Sequence, residues 1–138
     1  MNDEYADLAA ALAAAVDGTV RFDEYAQILY ATDGSIYQSR PAGVVAPSDA
    51  SDVQATHRIA AEHDVAVVPR GAGSSLAGQT TGKGAVVLDL SRYMDEIRSV
   101  DPAAQQATVE PGVVLDHLND RLREDGLKFA PDPASAAR

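Results

Sequence analysis

The chain has 138 residues, close to one typical domain and long enough to bury roughly 70% of its unfolded surface. Its formal charge is −10, which argues against a nucleic-acid backbone as partner and against a polybasic membrane anchor. Cysteine is absent, so disulfides, thiolate metal sites and cysteine nucleophiles are excluded.

Residues 3–17 read as a helix with Leu8 and Leu12 on one face and Gly18 as its C-terminal cap. Residues 22–30 read as a shorter helix, followed by a polar turn at Thr32-Asp33-Gly34-Ser35. Gly43-Val44-Val45-Ala46, between Pro41 and Pro47, suits a buried strand. A helix then starts with Ser51 as N-cap and Asp52 in its first turn. It runs to His63 and offers Val53, Ile59 and Ala60 for burial. Val65 to Val68 is a β-branched strand that stops at Pro69, and Ala85 to Leu90 is another strand. Glu96–Val100 and Ala107–Glu110 form a hairpin that ends at Pro111-Gly112. Residues 113–125 form an amphipathic helix with Val114, Leu115, Leu118 and Leu122 on one side and Gly126 as cap. This order predicts an α+β fold, with a small parallel β-α-β sheet next to an antiparallel sheet. No apolar run reaches the ~18 residues of a membrane span. Met1-Asn2-Asp3-Glu4 lacks the order of a signal peptide, so a cytoplasmic location is expected.

The chemistry concentrates between Arg70 and Gly84. This segment follows a strand and contains Gly71, Gly73, Gly78, Gly82 and Gly84. Glycine admits positive φ and lets backbone approach a ligand without a β-carbon. Successive amides on such a loop bind anions, and Ser74, Ser75, Thr80 and Thr81 add hydroxyl donors. Phosphate or pyrophosphate binding is the implied chemistry, and neutral amides suit an acidic protein. A ligand-free glycine-rich surface loop is the alternative. The dinucleotide fingerprint G-x-G-x-x-G fails because position 76 is Leu. The G-x-x-x-x-G-K-[ST] loop fails because position 77 is Ala and position 84 is Gly.

Other candidates have simpler readings. His57 and His63 lie six residues apart, about 600° around a helix, and do not share a face. His117 reads as partly exposed, and Asp116, Asp120, Glu124 and Asp125 as a solvated face. Asp33 reads as a turn residue. Arg70 is open to pairing with a carboxylate or a phosphate. No metal site and no catalytic acid or base is assigned.

Pro69-Arg70-Gly71-Ala72-Gly73-Ser74-Ser75-Leu76-Ala77-Gly78-Gln79 resembles the pyrophosphate loop of FAD-linked oxidases of the vanillyl-alcohol-oxidase superfamily. The likeness is to the branch holding the flavin-carrying chain of glycolate oxidase and D-lactate dehydrogenase. Tyr30 to Ser35, Pro41 to Pro47, Val109 to Val113 and Pro131 to Ser135 agree in order and spacing, so the resemblance covers about residues 25–138. It implies the N-terminal part of a PCMH-type FAD-binding domain, with residues 1–36 as a helical segment and 37–138 as an incomplete FAD-binding domain. Backbone amides of Arg70, Gly71, Ala72, Gly73, Ser74 and Ser75 would bind the FAD pyrophosphate. Gly78 and Gln79 would shape the same pocket, and Pro133, Ala134 and Ser135 would lie beside the flavin. Covalently flavinylated relatives carry a histidine at the position of Ser74, so FAD here is expected to be non-covalent. The parent would oxidise a small 2-hydroxy acid such as D-lactate or glycolate, passing hydride to flavin N5 and electrons to a further acceptor. Because family members continue well beyond the position of Arg138, the chain is expected to be a fragment, inactive alone and with its catalytic groups elsewhere. A non-catalytic nucleotide- or anion-binding module, or a remnant with only an interaction role, remains the alternative.

The type of acidity carries a separate expectation. Asp supplies 15 of the 21 acidic residues, and Arg supplies 9 of the 11 basic ones. Such a surface resembles that of proteins from salt-loving organisms, where salt screens carboxylate repulsion. An ordinary acidic protein from a GC-rich genome is the other reading.

Overall fold

The computed structural model describes residues 3–131 and 133–137. Met1, Asn2, Asp132 and Arg138, all named above, lie outside the described residues. A short 3-10 turn, Asp3–Tyr5, leads into α1 (Ala6–Ala15). There follow β1 (Thr19–Arg21), α2 (Glu24–Leu29), β2 (Gly43–Ala46), α3 (Ala50–Glu62), β3 (Val67–Arg70) and β4 (Val86–Asp89). The chain closes with β5 (Ile97–Asp101), β6 (Gln106–Val109) and α4 (Leu115–Arg123).

The main sheet has the order β1-β2-β4-β3, with β2, β4 and β3 parallel and β1 antiparallel to β2. Helix α3 crosses from β2 to β3, and β4 inserts between them. Hairpin β5-β6 forms a separate antiparallel sheet. The mixed α+β architecture is therefore as expected from the order of elements.

Alternation along the central strands builds two apolar layers. Val45, Val86 and Leu88 join Leu8, Leu12, Val16, Phe22 and Ile59 in the main core. Val44 and Val87 join Ala26, with Tyr30 packed against them. Each fully buried Val or Leu contributes about 1.5–3 kcal/mol. The first helix thus packs into the same core as the sheet, and residues 1–36 contribute a strand as well as helices.

Several local features differ from the sequence expectation. Helix α1 ends at Ala15, and Gly18 is not its cap: its N–H donates to the Asp52 carboxylate. Strand β1 replaces what reads as a connection. It forms because β2 offers an open edge, in the register Thr19↔Ala46 to Arg21↔Val44. Asp49, not Ser51, caps α3 by accepting from Ser51 N and Asp52 N. Strand β3 runs through Pro69 to Arg70. It is an edge strand, so the missing N–H costs no ladder bond on its free side. Helix α4 is shorter than predicted, with Val114 as its N-cap. Gly126 follows with φ +70, and Leu127 N donates to Leu122 O at 3.0 Å.

Candidate functional site

Parallel pairing places Arg70, the last residue of β3, beside Asp89, the last of β4. The carboxyl ends of parallel strands are where open α/β sheets hold ligands. Asp89 is buried, and its Oδ1 accepts from Ser91 N at 3.0 Å and from the Ser91 hydroxyl at 2.6 Å. Its Oδ2 accepts the Tyr30 hydroxyl at 2.5 Å. Burial, then that hydrogen bond, pushes the Tyr30 phenol up to about 12.

The glycine-rich segment leaves the sheet from this edge and contains no helix. The Arg70 guanidinium lies 5.1 Å from the Tyr30 ring centroid, and Nη1 donates to Thr32 O at 2.8 Å. Neither partner is a carboxylate. Gly73 has φ +67, and a β-carbon there would lie 2.7 Å from Arg70 Cζ. The loop therefore rests directly on the guanidinium.

The turn after α2 is stapled to the loop. Gly34 N donates to Gly73 O at 2.8 Å, and the Thr80 hydroxyl donates to Asp33 Oδ2 at 3.0 Å. Asp33 Oδ1 accepts from Ser35 N at 2.9 Å. Hydrogen bonding from Ser35, with Thr80, holds the Asp33 carboxyl below the usual range against the opposing effect of desolvation. Asp33 is thus a turn residue, as expected, and also a tie between two segments 47 residues apart.

Arg70, Gly73, Ser74, Ala134 and Ser135 line one open cleft of about 670 Å³, together with Leu29 and the Thr32–Gly34 turn. Pro133 stands next to this wall: its carbonyl accepts from Ala136 N, and Ala136 O accepts from Asp116 N near the start of α4. The remaining predicted residues do not line the cleft. Gly71 and Ala72 are exposed. The Ser75 hydroxyl donates to Gln79 Oε1, and Gly78, at φ +77, packs on Tyr37. Sequence reasoning missed Leu29, Tyr30 and Thr32 as parts of the site. Only the resemblance of Tyr30 to Ser35 pointed to that turn, because no local pattern reports a contact with a loop 38 residues away.

His57, His63 and His117 are exposed. Asp120 pairs with Arg123, and Glu124 and Asp125 pair with Arg121. Among the described residues no group of three metal-ligating side chains occurs, and no helix is long and apolar enough to cross a membrane.

The fold is similar to that of p-cresol methylhydroxylase with substrate bound, at TM-score 0.78 and 23% identity over 99% of this chain and 28% of that one. D-2-hydroxyglutarate dehydrogenase of Pseudomonas putida is 36% identical over 124 residues, covering 88% of this chain and 12% of the relative. Glycolate oxidase subunit GlcD of Bacillus subtilis is also 36% identical over 124 residues, covering 87% of this chain and 26% of the relative. The chain therefore spans about an eighth to a quarter of the length of these relatives. Residues 41–138 match the FAD binding domain family, and with most of the chain inside that match, the protein belongs to that family.

Proposed function

We propose that this chain is the pyrophosphate-holding part of a flavin-dependent dehydrogenase or oxidase, and that the whole protein oxidises a small 2-hydroxy acid of the glycolate, D-lactate or D-2-hydroxyglutarate type. The observation that carries this reading is a row of unengaged donors. The backbone N–H groups of Gly71, Ala72, Gly73, Ser74 and Ser75 donate to no acceptor among the described residues. Five consecutive free amides on a glycine-rich loop suit an anion.

The residues present fit FAD. A diphosphate carries negative charge and several acceptor oxygens, and neutral amides can meet both without a cationic patch. One side of Gly73 is closed by the Arg70 guanidinium, so only a residue without a β-carbon lets the loop pass there. When bound, the flavin supplies two-electron oxidation chemistry. The residues of this chain bind and orient it. The amides of Arg70 to Ser75 would face the diphosphate, Gly78 and Gln79 would hold the far side of the loop, and Pro133, Ala134 and Ser135 would form the opposite wall. Ser74 offers a hydroxyl and no imidazole for attachment, and the histidines stand on α3 and α4, so the cofactor is non-covalent. The catalytic groups and the electron-acceptor site are assigned to the rest of the whole protein.

The test uses the full-length protein. It should purify with the visible absorbance of flavin, and acid precipitation should release all flavin into the supernatant. D-lactate, glycolate or D-2-hydroxyglutarate should bleach that absorbance and reduce an acceptor dye. A colourless protein that ignores added FAD but binds inorganic pyrophosphate would overturn the flavin reading in favour of an anion-binding module.

A further inference from the structure

The Arg70 side chain is built into the floor of the loop. Among the described residues it forms no ion pair with a carboxylate. Its plane lies over Tyr30 on one side, and Gly73 rests on it on the other. Nη1 is held by Thr32 O. Tyr30 is itself anchored through its hydroxyl to buried Asp89, and Asp89 is held by Ser91. A continuous stack therefore runs from the end of β4 through Tyr30 and Arg70 to Gly73. Beside it, Gly34 N–H closes onto Gly73 O.

We propose that Arg70 is a positioning residue, which holds Gly73 and its neighbouring amides in the conformation that receives the diphosphate without contacting the phosphate itself. The proposal rests on the reading of the loop as the diphosphate site. Its physical basis is shape as much as charge. A planar guanidinium can present one face to an aromatic ring and the other to a glycine while donating in its own plane, whereas a lysine ammonium cannot. Lysine in place of Arg70 keeps the charge and removes the plate between Tyr30 and Gly73.

The experiment compares full-length wild type with Arg70→Lys, Arg70→Ala, Tyr30→Leu and the Arg70→Ala/Tyr30→Leu double variant. Two readouts are used: FAD affinity at low and high salt, and hydrogen exchange of the Gly34 amide in flavin-depleted protein. Arg70→Lys and Arg70→Ala should each weaken FAD binding about ten-fold and speed Gly34 exchange about ten-fold, the combined loss of one hydrogen bond and one stacked cation. The salt dependence of FAD binding should stay that of wild type, and the double variant should be no weaker than Arg70→Ala alone. Exchange in β4 serves as the folding control, and Arg70→Lys carries the test if Arg70→Ala does not fold. Wild-type behaviour of Arg70→Lys, with a flattened salt dependence in Arg70→Ala, would show direct charge pairing and overturn the proposal. If wild type itself binds no FAD, the proposed function fails. Gly34 exchange then still judges the positioning role, and unchanged exchange in Arg70→Lys overturns it.

Discussion

The Asp52 carboxylate, buried at the start of α3, accepts the backbone N–H of Gly18 at 2.9 Å and so ties the segment after α1 to the crossover helix. Asp17 N, Ser48 N and the Ser48 hydroxyl donate to the same group at 2.9, 2.8 and 2.7 Å. Four donors on one carboxylate join three segments that flank the open end of β2.

Replacing Asp52 by Ala should therefore destabilise the protein by about 3 kcal/mol, because several backbone donors lose their acceptor in a buried place. Urea unfolding would register this as a lower midpoint at unchanged slope. Burial pushes the Asp52 pKa up, but the hydrogen bonds from Ser48, Asp17 and Gly18 prevail and leave it lowered. A lowered folded-state pKa contributes stability above the unfolded value of about 3.9, and that contribution is lost as pH falls through the folded value. Acid unfolding of Asp52→Asn should accordingly show a weaker pH dependence below about pH 4 than wild type.

Gly73→Val should abolish FAD retention by the full-length protein, since a β-branched side chain at φ +67 is strained and meets the Arg70 guanidinium. At Gly71 a β-carbon would meet no atom within 4 Å, and φ there is not positive. Gly71→Ala should leave thermal stability within about 0.5 kcal/mol of wild type. Differential scanning fluorimetry beside flavin content measures both, and equal retention by the two variants would count against the loop assignment.

Tyr30→Phe should cost about 2 kcal/mol, the scale of a hydrogen bond to a charged group. The ring would still lie under Arg70, so FAD retention should persist. Spectrophotometric titration should show Tyr30 ionising last, near the value of about 12 to which burial and Asp89 push it. A raised folded-state pKa means that this contribution is complete below the unfolded value of about 10 and is lost as pH rises through the folded one. Loss of the late-titrating phenol in Tyr30→Phe would confirm which tyrosine it is.

Salt should stabilise the protein. With a net charge of −10, repulsion acts over the whole surface, while ion pairs such as Arg58–Glu62 and Arg123–Asp120 are exposed and contribute little. Raising KCl from about 0.1 to 1 M shortens the screening length from about 10 to 3 Å. The thermal midpoint should rise over that interval, equally in NaCl and KCl. A flat or falling midpoint would refute the link between acidity and salt.

Much of the fold is legible along the chain. Val44, Val45, Val86, Val87 and Leu88 announce buried strands by composition, and Leu118 and Leu122 announce the inner side of α4 by helical spacing. The hairpin is legible because both strands and their turn are neighbours in sequence. Strand β1 is not, because three residues carry no periodicity and the pairing partner lies at Gly43–Ala46. The end of β3 is hidden because proline stops a strand only where its N–H is needed, and edge position is a property of the sheet. Ser51 and Asp49 are both good capping residues, and backbone geometry chooses between them.

The glycine loop, its strand and its family were determined by the sequence, since glycine spacing and the residues around it act on the backbone locally. The tertiary structure decided what the loop rests on. Arg70 meets Thr32 across 38 residues, and Tyr30 meets Asp89 across 59. Such contacts depend on the parallel register that brings the ends of β3 and β4 side by side. Local pattern cannot encode that register, because it emerges only when the apolar faces of separate strands and helices close on one core.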